Sequence, residues 1–119
     1  MSLPLTKDRI AAIYSALKQY PPFNRMKLPP VEQVRFRILR TKQVDGEYWR
    51  FQGSDDHTIS VSAGRNGHWD TLGCTVAHEM IHLHQARAKT ETRGQHNAEF
   101  HRIAKSVCKS FGWDEKQFT

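Results

Sequence analysis

A chain of 119 residues fits one domain of ordinary size, with enough length to bury a real core without disulfide staples. Hydrophobic residues make up 38% and charged residues 25%, which excludes a disordered polar chain, and no apolar run approaches the ~20 residues that span a bilayer. Eighteen Lys and Arg against twelve Asp and Glu leave a net charge of +6, which fits either a polyanionic partner such as nucleic acid or an ordinary solvated surface.

Met1 to Tyr20 lacks the apolar stretch of a secretory leader. Ile10, Ile13, Tyr14 and Leu17 recur at helical spacing, so a helix is expected over residues 5–19, capped by Thr6 and ended by Pro21-Pro22. Residues 20–33, with Pro29-Pro30, read as an irregular connection. Val34, Phe36 and Ile38 then alternate with Arg35 and Arg37, which predicts a strand with one apolar and one basic face. Asp45-Gly46 is a hairpin signal leading into a second strand over 47–51. Residues 53–56 form a second turn, and His57 to Ser62 alternates again. Asp70 or Thr71 can cap a long helix running to about Lys89. After a polar turn over 90–95, a last helix is expected over 97–110, ending at Gly112. The order predicts a single α+β domain over 1–119, with an N-terminal helix, a small antiparallel three-stranded sheet and two further helices.

Residues 78–82 read His-Glu-Met-Ile-His. Two histidines at i and i+4 share one helix face a turn apart, so both imidazoles can reach one metal ion. Glu79 follows the first of them and projects beside the metal, where it can take a proton from bound water. Zinc suits neutral imidazole ligands, and such a site hydrolyses peptide bonds without a covalent intermediate. The motif sits in an apolar-periodic helix with Leu72, Val76 and Ile81, where unsatisfied polar groups would be costly.

A catalytic zinc needs a third protein ligand. Six residues beyond His82 stands Ala88, so a metzincin-type ligand is excluded. His84 points about 200° away around the helix. His96, just past the turn, is the favoured ligand. Glu99, one turn later, is the rival, either as a ligand or as a partner orienting one. His57 and His68 precede the motif and read as structural or surface residues, and His101 lies further round. Cys74 and Cys108 read as small buried hydrophobes; two cysteines make neither a disulfide framework nor a four-cysteine zinc ribbon, and they fit a reducing compartment.

These residues resemble the SprT-like metallopeptidases, the family of the Spartan catalytic domain. The likeness rests on Thr58-Ile59-Ser60-Val61-Ser62, Asp70-Thr71-Leu72, the 78–82 motif, His96-Asn97-Ala98-Glu99-Phe100 and Phe111-Gly112-Trp113, and it covers residues 57–113 best. The resemblance implies a minimal zincin-like fold, one zinc ion held by His78, His82 and His96, and Glu79 as the catalytic base. It also implies a protease acting on DNA-associated or DNA-crosslinked proteins, in the cytoplasm, nucleoid or nucleus. Asn97 stands where the family usually has glycine, and no zinc ribbon follows the motif region.

Arg35, Arg37, Arg40 and Lys42 crowd one stretch, with Arg50 on the next strand; Trp49 and Trp69 offer stacking surfaces. Basic and aromatic side chains together are what sequence-tolerant binding of single-stranded DNA requires. The same arginines also serve to solvate a sheet or protect its edge. The expected partners are therefore a protein substrate and single-stranded DNA, with the chain a monomer away from membranes. The competing readings are a non-catalytic zinc-stabilised DNA-binding module and a zinc peptidase acting on a regulatory protein.

Overall fold

The computed structural model describes residues 5–41, 43–51, 54–64, 69–92 and 95–118. The first helix, α1, spans Lys7–Leu17, and Thr6 caps it by accepting from Arg9 N at 3.2 Å. Its expected stripe of Ile10, Ile13, Tyr14 and Leu17 is buried. The connection that follows holds two short 3₁₀ turns, Phe23–Arg25 and Val31–Gln33. The Tyr14 hydroxyl, inside the core, donates to Pro29 O at 2.6 Å and pins this connection to α1.

Strands β1 (Val34–Leu39), β2 (Gly46–Arg50) and β3 (His57–Ser62) form the sheet. Its order is β1-β3-β2, with β1 parallel and β2 antiparallel to β3. The expected all-antiparallel sheet is therefore corrected to a mixed one. Asp45-Gly46 does not close a hairpin between β1 and β2, because β3 lies between them. The physical reason lies in β3: every residue from His57 to Ser62 is buried. Its apolar Ile59 and Val61 face the helices, and its small Thr58 and Ser60 allow flanking strands on both sides.

Val34, Phe36, Gly46, Tyr48, Arg50, His57, Ile59 and Val61 share one sheet face by register. Arg35, Arg37, Glu47 and Trp49 share the other and are exposed. Helix α2 spans Trp69–Ala88, so Asp70 and Thr71 lie inside its first turn rather than capping it. It packs against β2 and β3 on one side and α1 on another. Val76, Ala77, Met80, Ile81 and Leu83 are 0% exposed, as befits a central helix. Lys89 closes it with a left-handed φ of 60°, while Thr90 N donates back to Gln85 O at 2.9 Å.

Helix α3 spans Ala98–Phe111, capped by Asn97 and ended by left-handed Gly112 (φ 76°). A short α4, Glu115–Phe118, follows. No helix among the described residues is long and apolar enough to cross a membrane. The architecture is α+β, compatible with a minimal zincin-like fold.

Candidate metal centre

Helix geometry alone places His78 and His82 side by side, with ring centroids 5.1 Å apart. The turn after α2 brings back His96, whose Nε2 stands 3.1 Å from His78 Nε2. Two nitrogens on one tetrahedral zinc, each at about 2.0–2.1 Å, would be about 3.3 Å apart. One ligand atom from each of the three histidines lies within 4.8 Å of the others. The chemistry and spacing of this donor set therefore fit a single metal ion.

Each imidazole is held from behind. The His78 Nδ1–H donates to Phe118 O at 3.0 Å, which leaves the Nε2 lone pair facing the cluster. Phe100, 0% exposed, lies beneath all three rings, with centroids 4.9, 4.7 and 4.5 Å from His78, His82 and His96. Burial lowers the pKa of all three: that of His82 is pushed down to about 3, with the like charges of His78 and His96 adding to the effect. The imidazoles are thus neutral at pH 7, the state a metal ligand needs.

The loop bearing His96 is tied by amides. Asn97 Oδ1 accepts from Phe100 N at 2.9 Å and from Gln85 Nε2 at 3.1 Å. Its Nδ2 donates to Thr90 O at 3.0 Å and Thr92 Oγ1 at 3.2 Å. Asn97 thus uses all four of its hydrogen-bonding positions, tying the start of α3 to Thr90 and Thr92 in the loop and to Gln85 of α2. This gives the departure from the family's glycine a structural role.

Glu79 is 5% exposed. Burial, reinforced by the negative charges of Glu47 and Asp45, raises its carboxyl to about 8. It lines two cavities, of about 790 and 560 Å³, that also share Val44, Gly46 and His78. The two lie on either side of Glu79. Thr75, Trp113 and Phe118 line the first, and Tyr48, His82 and His96 the second. Gly46 is required here: a Cβ there would stand 2.7 Å from Ser60 O and 2.8 Å from Thr75 Cγ2.

The SprT-like family's sequence profile matches residues 14–117, nearly the whole chain. The chain belongs to the SprT-like family. No curated protein and no solved structure matches it significantly. Membership makes this a metallopeptidase-like domain, and the SprT-like match extends well upstream of the 57–113 region where the resemblance was plainest.

The remaining candidates of the SprT-like chain fall as follows. Glu99 is outside the histidine cluster and is paired with Arg102, Nε to Oε2 at 3.1 Å. His84 faces away and accepts from Lys27 N at 2.9 Å, and His101 is exposed. Cys108 is buried and Cys74 half-buried. His57 is buried within a polar chain. Arg35 and Arg37 share the outer sheet face with Trp49, which is 57% exposed, and Arg35 pairs with Asp56 at 3.5 Å. Arg40 is exposed just beyond β1. Arg50 lies on the opposite face, paired with Glu91 at 2.8 Å. Lys42 and His68 lie outside the described residues, as does the side chain of Trp69.

Three features escaped the sequence reading: the Phe118 carbonyl behind His78, the Gln85–Asn97 tie, and the Tyr48–His57 contact. None carries a residue-type signature; the cap-like Asp114, whose Oδ1 accepts from Lys116 N at 2.9 Å, marks only the start of α4.

Proposed function

We propose that this chain is a zinc-dependent endopeptidase in which His78, His82 and His96 hold one zinc ion and Glu79 is the general base. The convergence of three neutral imidazoles beside a buried carboxylate that lines two cavities carries this reading. Zinc, when bound, supplies a Lewis acid and lowers the pKa of water to about 7. Glu79 takes the proton of the attacking water and hands it to the leaving amine. A positive charge nearby favours the ionised form of Glu79 that this requires.

The substrate lies extended along β2. Phe51 N donates to Asp56 O and Ser62 N to Asp45 O, so the odd-numbered residues of β2 turn their main-chain groups to β3. Gly46 and Tyr48 then turn theirs to the open edge, beside Glu79, where a peptide can add as a further strand. Glu79→Gln in zinc-loaded protein is expected to lower peptide cleavage by at least ~10²–10⁴-fold with the metal retained. Activity close to wild type would refute the assigned base.

A role on DNA-associated proteins is supported by the outer sheet face. There Arg35 and Arg37 on β1 and Trp49 on β2 flank the hydroxyls of Thr58 and Ser60. Arg35→Glu with Arg37→Glu is expected to weaken binding of single-stranded DNA and flatten its salt dependence. Unchanged binding would remove DNA from the proposal and favour a peptidase acting on a regulatory protein.

A further inference from the structure

His57 is 1% exposed, yet it takes no part in the metal cluster. Both of its ring nitrogens are engaged. Nε2 meets Asp55 Oδ1 at 2.5 Å, and Nδ1 meets the Tyr48 hydroxyl at 2.5 Å. Asp55 also receives Arg87 Nε at 3.3 Å. Its hydrogen bond to His57, with help from Arg87, holds the Asp55 carboxyl below its ordinary pKa. An ionised carboxylate only accepts, so in the neutral ring the His57 proton lies on Nε2 and Nδ1 presents a lone pair. In that tautomer the Tyr48 hydroxyl donates to Nδ1, and donation runs from Tyr48 to His57 to Asp55.

A tyrosine hydroxyl ordinarily rotates to suit its neighbours. Here its proton is committed inward, and its oxygen is left as an acceptor. Tyr48 lines the second cavity together with Glu79, His82 and His96. Its ring is stacked on His57, with centroids 5.8 Å apart and planes at 28°, so the phenol cannot swing freely. It also stands on the strand whose open edge faces the substrate.

We propose that Tyr48 is a substrate-contacting residue that accepts a hydrogen bond from a main-chain N–H of the bound peptide, with His57 and Asp55 as positioning residues that fix the direction of its proton. The proposal rests on the peptidase reading for the identity of the ligand. Asp55 is 60% exposed at its side chain, so Asp55→Asn can be made without opening the core. The asparagine amide can donate to His57 Nε2, which moves the ring proton to Nδ1 and reverses the bond to Tyr48.

The test uses the zinc-loaded full chain, a short peptide hydroxamate as a binding probe, and peptide cleavage measured alongside. Tyr48→Phe is expected to keep its zinc and weaken hydroxamate binding about 3- to 10-fold, the loss of one hydrogen bond. Asp55→Asn should move the His57 ring ¹⁵N shifts to the other tautomer and weaken the probe similarly. The double variant should bind no worse than Tyr48→Phe alone, because Asp55 acts through Tyr48. Tyr48→Phe binding the probe like wild type, with only its melting temperature lowered, would overturn the proposal. So would an Asp55→Asn loss that persists undiminished in the Tyr48→Phe background, or a wild type that binds no probe. Probe binding that depends on Tyr48 in a protein that cleaves no peptide would support the contact and refute the peptidase reading.

Discussion

Replacing Asn97 by glycine, the residue usual in the SprT-like family, probes how His96 is held. As a helix cap the change should be mild, since glycine at an N-cap costs only a few tenths of a kcal/mol relative to asparagine. The loop tie is the larger part. Gln85 is 1% exposed, and its Oε1 has no partner among the described residues. Without Asn97 Oδ1, its Nε2 keeps, among the described residues, the 3.4 Å contact to Thr90 O. A buried donor left unsatisfied costs about 1–3 kcal/mol, so the expected total, with the few tenths of the cap, stays within about 1–3 kcal/mol. Part of this falls on the loop that delivers His96, and disturbing a group that orients a ligand typically weakens metal binding about 10–100-fold. Competition against a chromophoric chelator measures the zinc affinity, and urea denaturation of zinc-free protein measures the remainder. Asn97→Asp keeps both acceptor bonds but sets a carboxylate oxygen against Thr90 O in place of a donor, so it should retain the Gln85 contact while losing the tie to the loop. An Asn97→Gly protein with wild-type zinc affinity, and stability lowered by only a few tenths, would refute the clamp.

Removing residues 115–119 takes away the carbonyl that holds His78, and zinc affinity should fall about 10–100-fold in the same titration. Gly46→Ala places a methyl against Ser60 O and Thr75 Cγ2, so denaturation should show a loss of about 1–3 kcal/mol, with cleavage reduced as β2 shifts from Glu79. The Asp55 pKa is depressed in the folded state, so its contribution is present above the unfolded carboxyl pKa and is lost as pH falls through the folded value. The melting-temperature gap between wild type and Asp55→Asn should accordingly be full near neutrality and close below about pH 4.

Much of the site was legible because it is local. The i, i+4 spacing of His78 and His82 dictates a shared helix face, and Glu79 follows from adjacency. His96 needed one further inference, that a short turn reverses the chain. The stripe of α1, the Thr6 cap and the Gly112 stop were equally local. The sheet topology was not. Asp45-Gly46 carries the composition of a hairpin turn, but tertiary pairing placed β3 between its expected partners, and turn residues do not encode which strand lies next door. The Phe118 carbonyl also eluded the sequence, since a main-chain acceptor forty residues from His78 has no residue-type signature. Arg50 illustrates the same limit. Its charge grouped it with Arg35 and Arg37, but period-two alternation from Trp49 sets it on the opposite face, against Glu91.

The most direct test of the metal centre is the zinc content of tag-free protein, measured for wild type, His78→Ala and His96→Ala by elemental analysis beside native mass spectrometry. The account predicts one zinc per chain in wild type and its loss in both variants. Full zinc in His96→Ala, or none in wild type after metal is added, would contradict it.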